Sequence, residues 1–278
     1  MSTYTLSQDE LHTIAHLLTR YGDDLLSKQP QQVLLSQNAM RVCFEEHGAL
    51  TRVGLAADLQ KLRPEITFDE LDSGVQQAGN GTLPELVWLC EAIDGAVQYL
   101  HGHPLWTLTL CLLVQGQVRY SWVYQPSSKQ LYFAQKGLGA YCNQKRLECV
   151  LRQPLEICFA ATSFPNYPQR PAIQVKRFTD LLAGIIPCVF AQRWMGPASL
   201  SLAQLAAGQV DIYWETDKTM SDWLAGSLLA TEAGAVLSEL NGGTLNWHSA
   251  DILVAQAQAY PQIVEKFAKL ALCNSSSP

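Results

Sequence analysis

The feature that most constrains this chain is a change of rhythm near Gln153–Pro154. Before it, apolar stretches follow one another with only turns between them. "LVWLCE" predicts a short strand. "PLWTLTLCLLVQGQVRYSWVYQPSSKQLYFAQKG" predicts three more, broken at Gly116 and at "QPSSK", a turn by composition. "GLGAYCNQKRL", with two glycines and an asparagine, predicts a bent strand or loop. Beyond the boundary, strands and helices alternate. "EICFAATS", "IIPCVFAQ", "QVDIYWE", "AVLSEL" and "DILVAQ" predict strands. "PAIQVKRFTDLLAG" and "PASLSLAQLAAG" open on proline and close on glycine, as helices do, and "SDWLAGSLLATEAG" starts at Ser221 or Asp222 and stops at Gly234. That rhythm divides the chain into an α+β part, 1–153, and an α/β part, 154–278.

Two helices are expected ahead of the strands. Residues 7–27 carry a capping box, Ser7 and Glu10, and Leu11, Ile14, Leu18 and Tyr21 on one face. "GLAADLQKL", 54–62, stops before Pro64. The segment between them, "QQVLLSQNAMRVCFEEHG", receives no assignment, and the final "NSSSP" reads as a frayed tail.

Composition narrows the function classes. The net charge is -6, only 16% of residues are charged, and there is no basic stripe, which argues against a nucleic-acid partner. No apolar run approaches the roughly 20 residues that span a bilayer, and the N-terminus lacks the basic flank and apolar core of a signal peptide. The 8 cysteines are scattered without ligand spacing, and Cys90, Cys111 and Cys188 sit inside apolar runs. The expectation is a reduced, cytoplasmic protein without disulfides, zinc or membrane contact.

Chemistry is suggested where apolar segments end on acids. In "WLCEAIDGAVQYLHG" a strand runs into Glu91 and Asp94, with Gly95 directly behind them and a helix following. Carboxylates bind hard cations and helix N-termini bind anions, so a phosphate bridged by Mg²⁺ would satisfy both. Taken alone, Asp94 as a helix cap is the plainer reading. "YWETDKTMSDWLAGSLLATEAG" repeats the arrangement with Glu215 at a strand end and Asp222 at a helix start, which suggests convergence at an interface between the two parts. Asp69, Glu70 and Asp72 in "TFDELDSG" read as a solvated loop. His101 and His103 form an H-x-H at the end of the first of these stretches; imidazole suits Mg²⁺ poorly, which argues against ligation, and His103, before Pro104, reads as a loop residue. Trp88, Trp106 and Trp122 belong to the core, whereas Trp214 and Trp223, beside acids, are candidates to line a pocket.

At this point the chain resembles the inositol monophosphatase family of Mg²⁺-dependent, lithium-sensitive phosphatases. That family's W-x-x-D-P-I-D-G-T-x-N-F motif stands here as "WLCEAIDGAVQY", and its W-D-x-A-A-G and T-E-A-G-G motifs as "SDWLAGSLLATEAGAVL". "KGLGAYCNQKRL" matches its K-G-x-G-A-x-x-N-G-x-x-L hairpin, and "GPASLSLAQLAAGQVDIYWE" its G-S-A-A-L segment. The four motifs lie in register over about residues 50 to 270. The resemblance implies a layered α-β-α-β-α sandwich of the inositol monophosphatase and fructose-1,6-bisphosphatase type, a homodimer, and Mg²⁺ (or Mn²⁺) acting on a small phosphorylated metabolite. It further implies Glu70, Glu91, Asp94, Asp222 and the carbonyl of Ile93 as metal ligands, with Glu70, Glu91 and Asp94 catalytic. Gly95 and Ala96 would bind phosphate, and Ala198 and Glu215 would contact substrate.

The chain departs from the family pattern at functional places. Glu91 stands for an aspartate, moving the carboxylate by one methylene where Mg²⁺ wants oxygens at about 2.0–2.1 Å. Ala96 stands for a threonine whose hydroxyl helps orient the attacking water, a loss worth about 10²–10⁴ in rate. The upstream G-E-E motif is replaced by "FDEL", with Glu70 its nearest match. Pro197 replaces a residue with an N–H, and the family's early aspartate has no counterpart in "RVCFEEHGALTRVG". Two readings follow: metal-dependent phosphomonoester hydrolysis, or a phosphatase-like fold that binds a ligand or partner, or does other pathway chemistry, without hydrolysis.

Overall fold

In the computed structural model, residues 4–165 and 169–275 are described, without the side chains of 271–275. Helix α1, Gln8–Lys28, begins at the Ser7/Glu10 capping box and buries Ile14, Leu18 and Leu25. Helix α2 runs unbroken from Gln37 to Leu62, taking in both the unassigned segment and the expected 54–62 helix. Glycines inside a helix cost about 1 kcal/mol each against alanine, which obscures the helix in the sequence. At Gly54 the missing side chain admits the ring of α1's Tyr21, whose hydroxyl oxygen would lie 2.7 Å from a Cβ there.

The first sheet comprises β1 (Thr67–Glu70), β2 (Leu86–Asp94), β3 (Thr107–Val114), β4 (Gln117–Gln125), β5 (Gln130–Gln135), β6 (Gly139–Cys142) and β7 (Lys145–Leu147), hydrogen-bonded in that order. Only β1 and β2 are parallel. Short helices α3 (Leu71–Gly79) and α4 (Ala96–Leu100) flank β2. The acids of "TFDELDSG" therefore lie on β1 and the first turn of α3 instead of in a solvated loop.

The second sheet has the order β11-β12-β10-β8-β9, from β8 (Phe159–Thr162), β9 (Ala191–Trp194), β10 (Ile212–Thr216), β11 (Ala235–Ser238) and β12 (Asp251–Gln256). Strands β9, β8 and β10 are parallel. The connections supply α5 (Ala172–Ile185), α6 (Ala198–Ala206) and α7 (Met220–Glu232), and α8 (Tyr260–Ser275) closes the chain. Two readings of the sequence change here. "IIPCVFAQ" yields a strand only from Ala191, because 186–188 forms a 3₁₀ turn around Pro187, which has no N–H for a ladder. The C-terminus is helical, with Ile263 and Phe267 fully buried, and of the supposed tail only 276–278 lie outside the described residues.

Five layers result. Helices α1 and α2 place Ile14, Leu18, Leu55 and Leu59 against Trp88, Leu108 and Trp122 on one face of the first sheet. Helices α6 and α7 place Leu200, Ala203, Leu224 and Leu229 against Leu89, Cys111 and Val123 on the other. The same two helices bury Leu202, Trp223 and Ala230 against Tyr213, Ile252 and Val254 of the second sheet. Helices α5 and α8 cover its outer face, with Phe178 and Phe267 packed around Trp214. Trp88, Trp106 and Trp122 are core residues as expected. Trp214 and Trp223 are core as well, with no exposed surface, so neither lines a pocket.

Candidate functional site

The parallel strands β8, β9 and β10 end together, and the crevice outside the carboxyl ends of such strands is where α/β proteins hold ligands. Here that crevice meets the end of β2 and forms a cleft of about 560 Å³. Its walls include Glu91, Ile93, Asp94, Gly95, Ala96, Ala198, Glu215 and Asp222, eight of the nine residues singled out by the resemblance. The two halves of the chain thus converge where the sequence suggested. Glu70 does not join them. Its carboxylate is half exposed and pairs with Arg52 Nε of α2 at 2.8 Å.

A bulge brings Glu91 and Asp94 into one place. Residues three apart on a regular strand point to opposite faces. Between β2 and β3 the register passes from Glu91↔Thr109 to Asp94↔Thr107, so β2 holds one extra residue and both acids reach the cleft. Gly95 then turns the chain with φ 98°, where a Cβ would lie 3.1 Å from that of Trp106. At the start of α6 the backbone N–H of Ser199 donates to Asp94 Oδ2 at 3.2 Å, and the Ser199 hydroxyl donates to the same oxygen.

Glu215, at the end of β10, is fixed by three donors. The hydroxyls of Ser163 and Tyr213 each lie 2.8 Å from its carboxylate, and Trp223 Nε1 lies 2.7 Å from it. The indole that seemed free to line a pocket instead orients a buried acid. Asp222 Oδ1 accepts from Lys218 Nζ at 2.7 Å, and its Oδ2 accepts from the Thr219 N–H at 3.4 Å. An apolar wall of Phe44, Phe164, Trp194 and Met195 also lines the cleft.

Burial and crowding load this cluster electrostatically. Burial, then repulsion from Asp94, Asp222 and Asp72, pushes the Glu91 carboxyl well above the usual carboxylate range. Asp94 is pushed up to about 7, chiefly by burial, against the opposing bonds from Ser199. Burial and Asp222 raise Glu215. Burial opposes the Lys218 ammonium, but Asp222 and Glu215 outweigh it, so its pKa rises. Asp72, in the first turn of α3, is thus the member of "TFDELDSG" whose charge reaches Glu91.

Among the described residues, no three acids, histidines or cysteines close on one point as a metal cage would. The donor chemistry nonetheless suits a single hard cation. No hydrogen bond or ion pair engages the Glu91 carboxylate among the described residues, and only one oxygen of Asp94 is occupied. Mg²⁺ commonly takes one or two carboxylates and keeps waters or phosphate oxygens elsewhere. A partly buried acid without a partner, crowded by other carboxylates, calls for such a charge.

Sequence reasoning missed Ser199, Ser163, Tyr213 and Lys218. Only Lys218 carried a signal, its (i, i+4) spacing to Asp222, and a lysine in a turn ordinarily points to water. His103 is a loop residue whose Nδ1 accepts from the Leu105 N–H at 3.2 Å. The seven described cysteines are free thiols. No helix among the described residues is long and apolar enough to cross a membrane.

Comparison with known proteins places this geometry in a family. The sequence profile of the inositol monophosphatase family matches residues 51–272. An inositol-1-monophosphatase of Mesorhizobium japonicum is 33% identical over 187 residues, 67% of this chain and 68% of that protein. A protein named putative Nus factor SuhB, from Neisseria meningitidis serogroup B, is 29% identical over 181 residues, 65% of this chain and 68% of its own length. The solved structure of a Thermotoga maritima IMPase superposes with a TM-score of 0.79 at 20% identity, over 95% of this chain and 99% of that one, which shows the same layered fold.

Proposed function

This chain belongs to the inositol monophosphatase family, and on that premise we propose that it hydrolyses a small phosphomonoester with the help of a divalent cation, Mg²⁺ or Mn²⁺. The observation that carries the proposal is the meeting of Glu91, Asp94 and Asp222, from opposite ends of the sequence, in one cleft. Glu91, Asp94 and the carbonyl of Ile93 would hold the cation. When bound, it neutralises phosphoryl oxygens and polarises the ester.

The chain's own residues do the rest. Gly95 and Ala96 line the cleft beside Asp94, and their backbone N–H groups bind the phosphate. Ser199 fixes the orientation of Asp94 through two donors on one oxygen. Glu91 makes no hydrogen bond or ion pair among the described residues, so the carboxylate oxygen it does not give to the cation accepts the proton of the attacking water, a task that in this chain falls neither to Glu70, held by Arg52, nor to a hydroxyl at 96. Glu215, anchored by three donors, and Ala198 border the alcohol portion of the substrate. The apolar wall keeps bulk water from the ester.

Colorimetric phosphate release from inositol, sugar and nucleotide monophosphates, with Mg²⁺ and with Mn²⁺, tests this reading. Release that is lost in Glu91→Gln and Asp94→Asn supports it. No release at high enzyme concentration with either metal refutes it.

A second reading, binding of a ligand or protein partner without hydrolysis, draws on Ala96 and on the Nus factor name of the Neisseria relative. Calorimetric binding of a phosphate ester that is recovered intact after prolonged incubation favours it.

A further inference from the structure

Lys218 lies inside the acid cluster, where a surface lysine has no reason to be. It lines the cleft beside Glu91, Asp94, Glu215 and Asp222, and only 20% of its side chain is exposed. Its position is built in by the turn between β10 and α7. Asp217 takes a left-handed conformation, φ 57°. The guanidinium of Arg170 donates to the Asp217 carbonyl at 2.7 Å, and Arg177 Nη1 stands 3.5 Å from its carboxylate. The backbone N–H of Lys218 donates to the Ala250 carbonyl at 3.1 Å. With the backbone pinned on both sides, the side chain enters the cleft and its ammonium reaches Asp222 Oδ1 at 2.7 Å. The other oxygen of Asp222 accepts from the N-terminal turn of α7. Both oxygens of that carboxylate are therefore engaged by the chain itself.

We propose that the Lys218 ammonium is a resident cation which occupies Asp222 in place of a divalent metal ion, so that the cleft holds at most one metal, at Glu91 and Asp94. An ammonium and a dication brought to the same carboxylate repel each other strongly in a partly buried site. A lysine also brings its charge on a tether and cannot be removed by chelators. The carboxylate oxygens left without a partner, two on Glu91 and one on Asp94, all lie on the two residues assigned to that one metal, and none is on Asp222. The inference rests on the cation-dependent reading above only for that remaining position.

The test is Mn²⁺ binding to the purified full-length chain, read from the loss of the free Mn²⁺ electron paramagnetic resonance signal. The wild type is expected to bind one Mn²⁺ per chain, and Lys218→Met, checked for fold by circular dichroism, to bind one more. Two tight sites in the wild type, or no added site in a folded Lys218→Met, overturn the proposal. A wild type that binds none while Lys218→Met binds one upholds the role of Lys218 and refutes the metal at Glu91 and Asp94 instead. If Lys218→Met does not fold, Asp222→Asn decides. It should weaken the wild-type site by less than about tenfold, the lower end of what losing a group outside the ligand set costs. A larger loss makes Asp222 a ligand and overturns the proposal.

Discussion

Replacing Ser199 with alanine removes one oxygen atom and should destabilise the protein by an amount that depends on pH. The hydroxyl donates to Asp94 Oδ2 and stands 2.7 Å from Thr107 Oγ1, and both Ser199 and Thr107 are buried. Its loss leaves Asp94 with a single donor and Thr107 without its partner. A hydrogen bond to a neutral group contributes about 0.5–1.5 kcal/mol, and one to a charged group about 1.5–3 kcal/mol. Which value applies depends on the charge of Asp94, whose carboxyl rises from the ordinary 3.8 to about 7, mainly through burial. Between those values the folded chain holds a proton that the unfolded chain has released. The stability this confers is complete below 3.8 and is lost as the pH rises through about 7. At pH 5 Asp94 is therefore neutral and the substitution should cost about 1 kcal/mol, whereas at pH 8 the carboxylate loses a charge-assisted bond and the cost should be about 2–3 kcal/mol. At about 2–4 °C per kcal/mol for a chain of this size, Tm should fall by about 3 °C at pH 5 and by about 6–10 °C at pH 8. Thermal unfolding of wild type and Ser199→Ala in chelator, followed by circular dichroism at both pH values, measures this. An equal loss at the two pH values, or none at pH 8, refutes the idea that Ser199 holds a charged carboxylate.

Three further outcomes are expected. Glu91→Gln removes a crowded buried carboxylate, so at pH 8 without metal it should gain about 1–2 kcal/mol in urea unfolding, as substitutions at strained functional sites often do; a loss of stability would speak against the repulsion. Trp223→Phe takes away the indole donor 2.7 Å from Glu215 Oε2 and should cost about 1.5–3 kcal/mol, read as a lower urea midpoint, and an unchanged midpoint would mean the bond is immaterial. Ala96→Thr restores a hydroxyl at the cleft wall and should speed phosphate release by up to about 10² if water positioning limits the rate; an unchanged rate in the folded variant would mean the attacking water does not pass residue 96.

What could be read in the sequence was what local chemistry marks. The capping box at Ser7 and Glu10 marks the start of α1, and proline and glycine bracket α6; Pro171 opens α5, but Gly184 lies inside that helix, against Leu270 of α8, and does not end it. Acids following apolar strands mark the cleft. What could not be read depends on distant neighbours. Helix α2 hides behind Gly48 and Gly54, and Gly54 makes sense only once Tyr21 of α1 lies against it. The bulge that aligns Glu91 with Asp94 belongs to the pairing with β3 and leaves no mark in β2 alone. Trp223 and Lys218 gain partners only when β10 and α7 fold around them. Glu70 matched a motif by position, but Arg52, eighteen places earlier in sequence and on another element, claims its carboxylate.

The central pair of helices has one further consequence. Helices α6 and α7 belong to the cores of both sheets, and they pack so closely that a Cβ at Gly226 would lie 2.5 Å from that of Leu202. Parting the two halves of the chain would therefore split a shared helical layer. Room for a bulkier ligand must come from side chains that line the cleft, such as Trp194, which is more than half exposed.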